Sequence, residues 1–194
     1  FSIIIEDEEF VFTPQERGHI MRMWVLFRTE QLNIRALSEK MQVSRRSIQN
    51  DVDTVQEELE KYGVVLEYDK GFHLTGESEK TYTIRSMELA EQVRFLDRKK
   101  RHTAYEKYMG QMLEEVFLPI HIEDVLQWVK TLSELMNWVF SDESYKWYVA
   151  NVVTFTWYIK SEHTLPQKDW TKSSDNSQGL RRYEEIIGRK LSAK

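Results

Sequence analysis

The chain has no cysteine, which excludes disulfides and thiolate metal sites and fits a reducing, cytoplasmic setting. Only 3 prolines and 7 glycines punctuate its 194 residues, too few for a turn-dense β-architecture or a low-complexity chain. No apolar run reaches the ~18 residues of a membrane span, so no membrane association is expected. The opening Phe1-Ser2-Ile3-Ile4-Ile5 has neither an initiating methionine nor a basic stretch, so no signal peptide is expected and the sequence reads as a piece of a longer protein. Also missing are a glycine-rich phosphate loop, a serine or cysteine nucleophile motif and histidines at metal-ligand spacing. The expectation is a non-enzyme with no cofactor and no metal site.

What remains is a helix-rich composition, 41% hydrophobic and 30% charged, with a net charge of −5. An acidic balance discourages nucleic-acid binding only if no basic face stands clear of the acid, because the local field decides where phosphates go. Residues 3–12 read as two short β-segments around an acidic turn. Thr13-Pro14-Gln15-Glu16 then carries a cap, a first-turn proline and a capping-box glutamate. Ile20, Met23, Trp24 and Phe27 share one face of the helix that follows, predicted over 14–29. A second helix is predicted over 33–41, with Ile34, Leu37 and Met41 inward. Ser44 caps a third, over about 44–61, whose buried stripe is Ile48, Val52, Val55 and Leu59, and Gly63 is its stop. The alternation from 64 to 75 around Asp69-Lys70-Gly71 predicts a hairpin, with Leu66 and Tyr68 opposite Phe72 and Leu74.

Three helices and a hairpin in this order form a winged helix-turn-helix. The rest reads as helix near 81–97, 103–117, 122–140 and 142–161, then a loop over 164–179 and a short closing helix from Leu180. The fold class is therefore mainly α: a winged helix-turn-helix with a small β-hairpin wing, followed by an all-α helical bundle. The domain reading is 1–80 for the winged module, 81–104 for a helical linker and 105–194 for the bundle.

In a helix-turn-helix the second crossed helix enters the major groove, offering long polar donors from its first turns. Here the buried stripe leaves Ser44, Arg45, Arg46, Ser47, Gln49 and Asn50 outward. Arginine pairs bidentately with guanine, and glutamine or asparagine with adenine, while a helix amino end favours phosphate. Lys70 at the hairpin tip is placed to meet a phosphate or minor groove, and His73 reads as structural. Asp51, Asp53, Glu57, Glu58 and Glu60 follow later, giving a basic docking end and an acidic rear. The run Arg98-Lys99-Lys100-Arg101 reads as a solvated helix end in preference to an auxiliary DNA contact. Trp128, Trp138, Trp147, Tyr148, Phe155 and Trp157 read as core and dimer interface.

The stretch Leu37-Ser38-Glu39-Lys40-Met41-Gln42-Val43-Ser44-Arg45-Arg46-Ser47-Ile48-Gln49-Asn50-Asp51-Val52 resembles the Mga-like helix-turn-helix of the BglG/MtlR-type regulators of bacterial sugar operons. Tyr62 to Tyr68 and Gly71 to Glu77 are similar to that family's wing, and Phe12 to Arg17 to its first helix. The resemblance spans roughly residues 10–90. It implies that residues 105–194 are part or all of a PTS regulation domain, phosphorylated on histidine by the sugar phosphotransferase system. At the position of that histidine stands Asn151, and at the arginine two turns on stands Tyr158, so no phosphoacceptor is assigned. His102, His121 and His163 read as surface or capping residues. The resulting expectation is a cytoplasmic, homodimeric activator that binds a double-stranded DNA operator, with phosphotransferase-system proteins as partners of the full-length protein. The alternatives are a winged-helix scaffold for protein interaction and, less favoured, an RNA-binding antiterminator.

Overall fold

A computed structural model of the chain describes residues 11–27 and 32–161. The expected β-segments over 3–12 fall outside the described residues except for Val11 and Phe12, which belong to no strand; the end of the first helix past Phe27, His163, the loop over 164–179 and the closing helix also lie outside them.

Helix α1 (Pro14–Phe27) starts on the expected capping box. Glu16 accepts from the Thr13 backbone N–H at 2.8 Å, and the Glu16 N–H donates to Thr13 Oγ1 at 3.3 Å. Two of the helix's orphan donors are thereby satisfied. Asn33 caps α2 (Ile34–Met41), accepting from the Ala36 N–H at 2.9 Å. Gln42 ends it in the left-handed region at φ 54°, which forms the turn into α3 (Arg45–Glu60). The anticipated stripe of Ile48, Val52, Val55 and Leu59 is buried, and Gly63 terminates the segment at φ 72°.

Strands β1 (Val64–Tyr68) and β2 (Phe72–Gly76) pair antiparallel, with Leu66 opposite Leu74 and Tyr68 opposite Phe72. The Phe72 N–H also donates to Leu32 O at 2.7 Å, which fastens the wing to the link between α1 and α2.

Helix α4 (Ser78–Gln92) begins earlier than the pattern suggested and passes into 3-10 turns at Val93–Leu96 and Arg98–Lys100. Helix α5 (Ala104–Val116) opens on a second capping box, Thr103 with Glu106. Helix α6 (Ile122–Leu135) stops five residues short of the predicted 140. Asn137 adopts φ 52°, and the Trp138 N–H reaches back to Ser133 O, the closure of a Schellman-type stop. The apolar run Trp138-Val139-Phe140 had extended the helix reading, yet Val139 is 96% exposed. Helix α7 (Asp142–Lys160) is capped by Ser141.

One hydrophobic cluster runs from Phe12 to Tyr158 through both halves. Helix α1 is its hub: Phe27 meets Phe117 and Trp157 edge-on at ring separations of 5.1 and 5.4 Å, and Phe12 meets Tyr108 at 4.9 Å. Trp157 belongs to this core as expected. Trp138 and Trp147 do not, because both lie at the α6–α7 end, more than a third exposed.

Candidate nucleic-acid interface

Helix α3 is fixed from behind, and that fixes which side chains it presents. Arg17 lies on α1 with its side chain about nine-tenths buried, donating through Nε to Asp51 Oδ2 at 2.6 Å and through Nη2 to Oδ1 at 3.1 Å. Its Nη1 donates to Phe12 O at 2.8 Å. One turn further on, Arg22 bridges Glu58 of α3 and Glu88 of α4, with His19 beside it. Burial alone would raise the Glu88 carboxyl, but hydrogen bonding to His19 and the Arg22 cation outweigh it and hold the group below its ordinary value.

This clamp takes one acid out of the expected acidic rear of α3: Asp51 is buried against Arg17, whereas Glu58 pairs with Arg22 at a partly exposed position. Asp53, Glu57 and Glu60 stay outside or at the edge, and Glu60 accepts from Gln56 Nε2 at 3.0 Å.

With the rear anchored, the amino end of α3 points outward. Arg45, Arg46, Gln49 and Asn50 are all exposed, and Ser47 is half-buried. Ser44 accepts from the Ser47 N–H at 3.1 Å, and the two hydroxyls lie 2.9 Å apart, so both serines are engaged in starting the helix. Arg45, Arg46 and Asn50 have no side-chain ion pair or hydrogen bond among the described residues, which leaves their donors available. Gln49 Nε2 donates to Asp53 Oδ1 at 3.1 Å. Asp53 was read only as part of the rear; its place one turn after Gln49 puts it on the same face, a relation that the i, i+4 spacing contains.

The wing presents Lys70, exposed at the hairpin tip and in the left-handed region at φ 62°. His73 Nε2 lies 3.1 Å from Glu67 Oε2 across the hairpin, in a cross-strand pair. On α2, Arg35 is tied to Glu39 at 2.7 Å, and Lys40 sits over the Trp24 ring at 4.4 Å, so neither cation is free in the way Arg45 and Arg46 are.

In the run Arg98–Arg101, Arg98, Lys99 and Lys100 form an exposed 3-10 turn, as a solvated helix end would, but Arg101 departs from that reading: its side chain is only 8% exposed and, like Arg98, it pairs with Glu114. In α7, Asn151 Nδ2 donates to Trp147 O at 2.8 Å, and Asn151 O accepts from Tyr82 OH at 3.2 Å. Tyr158 is buried, its hydroxyl 2.5 Å from Arg85 Nη1. Both positions are thus taken up in helix packing. His102 and His121 are exposed beside helix starts. Among the described residues no helix is long and apolar enough to cross a membrane.

Neither a curated protein nor a solved structure gives a match to the chain. Residues 15–87 match the Mga helix-turn-helix domain, a span that runs from α1 through the wing into α4 and supports a Mga-like helix-turn-helix regulator.

Proposed function

We propose that the protein is a cytoplasmic, non-enzymatic transcription activator of a bacterial sugar-uptake operon, reading double-stranded operator DNA with the amino half of α3 in the major groove. In this reading it acts as a homodimer through its helical half, and phosphotransferase-system proteins are partners of the full-length protein. The observation that carries the DNA-binding core is the contrast along α3: Arg45, Arg46 and Asn50 are exposed and unengaged, while Asp51 is buried in a salt bridge with Arg17 and Glu58 is paired with Arg22. Local potential at the docking end is therefore basic despite the net charge of −5. Lys70 adds a phosphate contact from the wing. The operon type, the activator role and the phosphotransferase link rest on the sequence resemblance. Dimerisation rests on the two-fold logic of operator binding, in which paired half-sites lie a helical turn or a multiple apart.

The exposed Asp53, Glu57 and Glu60 are the acidic surface on which the scaffold alternative would rest. The test is fluorescence anisotropy of the full chain on duplex DNA. Replacing Arg45 and Arg46 together by alanine is expected to weaken specific binding by roughly 2–6 kcal/mol, about 1–3 for each base-reading arginine. The affinity of the unaltered chain is expected to fall with salt at a log–log slope of about −0.9 per phosphate contacted. Undiminished affinity of the double variant removes α3 as the reader.

A further inference from the structure

The 3-10 turn Arg98–Lys100 and the outer face of α5 enclose an open cleft of about 420 Å³, lined by Arg98, Arg101, Lys107, Gln111 and Glu114. The DNA-reading surface does not use it. Three of its five lining side chains are cations and one is an anion, so the lining carries a formal charge of +2. Glu114 organises two of the cations. It accepts from Arg98 Nε and Nη2 at 2.9 and 3.1 Å and from Arg101 Nη1 at 2.7 Å. Glu123, 3.9 Å from Arg98 Nη2, is the other acid within ion-pair reach.

Arg101 is held in an unusual way. Its Nε donates to Phe95 O at 2.7 Å, and its guanidinium lies against Gly110 in the middle of α5. A Cβ at position 110 would fall 2.1 Å from Arg101 Nε and 2.3 Å from Cζ, so only glycine admits the guanidinium there. A mid-helix glycine costs about 1 kcal/mol relative to alanine, and here it makes room for a buried cation. Arg101 Nη2 is fully buried and has no hydrogen-bond partner among the described residues. A fixed guanidinium, a second arginine, a lysine and an amide around one concavity form the kind of donor set that recognises a phosphate group.

We infer that this cleft binds the phosphate of a small phosphomonoester, giving the protein a ligand input separate from its DNA surface. Two features favour a monoester over a DNA backbone. A monoester is close to a dianion at neutral pH, which matches a lining of +2, whereas each backbone phosphodiester carries one charge. The volume of the cleft also falls in the range of small-molecule sites. Gln111 and Lys107, one helical turn apart on α5, would address the oxygens that the arginines leave open.

The full chain, labelled with 15N, is titrated with inorganic phosphate and separately with glycerol phosphate, chloride being exchanged to hold ionic strength constant. The expected result is saturable shifts confined to the amides of residues 98–101 and 107–114, with the monoester binding at least as tightly as inorganic phosphate. Lys107→Gln removes one charge-assisted contact from an exposed position and is expected to weaken binding about tenfold. Gly110→Ala, which displaces Arg101 while favouring the helix, is expected to abolish it. Three outcomes overturn the proposal: shifts that do not saturate or that spread to Arg45 and Arg46; binding of inorganic phosphate with exclusion of the monoester; and no phosphate binding, which together with weaker DNA binding by the Lys107 variant would assign the cleft to the DNA backbone. Because DNA affinity is read separately, failure here leaves the reading role of α3 standing, and the reverse also holds.

Discussion

Asp51 belongs to the helix that carries the candidate reading residues, yet its carboxylate serves the interior. Both of its oxygens are bonded to Arg17, itself buried against Phe12 O. Removing one member of such a pair strands a buried charge, which costs about 3–5 kcal/mol, whereas replacing both with apolar groups can be nearly neutral. Asp51→Ala is therefore expected to lower unfolding stability in urea by about 3 kcal/mol, and the double variant Arg17→Met/Asp51→Leu to recover most of it. Glu88 makes a related prediction for acid. Its folded-state carboxyl is held below the ordinary 4.5, so its contribution is fully present above that value and is lost as pH falls through the lower, folded-state value. Thermal unfolding followed from neutral to acid pH should show a steep loss below about pH 4.5. Glu88→Gln should be less stable at neutral pH and show a shallower acid slope.

At the scale of elements, the winged module was the most legible part of the chain because its signals are local and agree with one another. Thr13 with Glu16, Ser44 and Gly63 mark helix ends by chemistry confined to three or four residues, and the stripe from Ile48 to Leu59 leaves one way to turn α3. The hairpin register follows from its alternation. The end of α6 was misread because apolar residues at 138–140 outweighed the stop signal of Asn137. The pairing of Asp51 and Glu58 with α1 was not legible, since their partners Arg17 and Arg22 stand more than thirty positions away. The fate of Arg101 depends likewise on Glu114 and Gly110, which no local pattern connects to it.

Within the winged module two turns hold non-glycine residues in the left-handed region, at Gln42 and Lys70. That conformation costs an L-residue roughly 1 kcal/mol or more. Gln42→Gly is expected to stabilise the helix-turn-helix by about 1 kcal/mol in urea unfolding and leave DNA affinity unchanged. Lys70→Gly should stabilise the wing similarly yet weaken DNA binding and make the salt slope shallower by about one contact. The two variants together separate turn strain from phosphate contact.

At the scale of the molecule, the winged module and the helical half share α1. Its one face meets α3, while Phe12 and Phe27 join it to α5 and α7, and Arg22 ties α1, α3 and α4 together. The packing of the helical half is therefore continuous with that of α3 through α1. Arg85 belongs to the same packing, hydrogen-bonded to Leu26 O of α1 and Tyr158 of α7 and placed over the Trp157 ring. Such a scaffold gives a regulator a rigid frame behind a small exposed reading surface. The most direct measurement of that surface is selection from a pool of random duplexes by the full chain and by its Arg45→Ala/Arg46→Ala variant, followed by sequencing of the retained DNA. The account predicts that the unaltered chain enriches a defined motif and that the variant, folded to the same stability, enriches none. Enrichment of the same motif by both would contradict the assignment of α3 as the element that reads DNA.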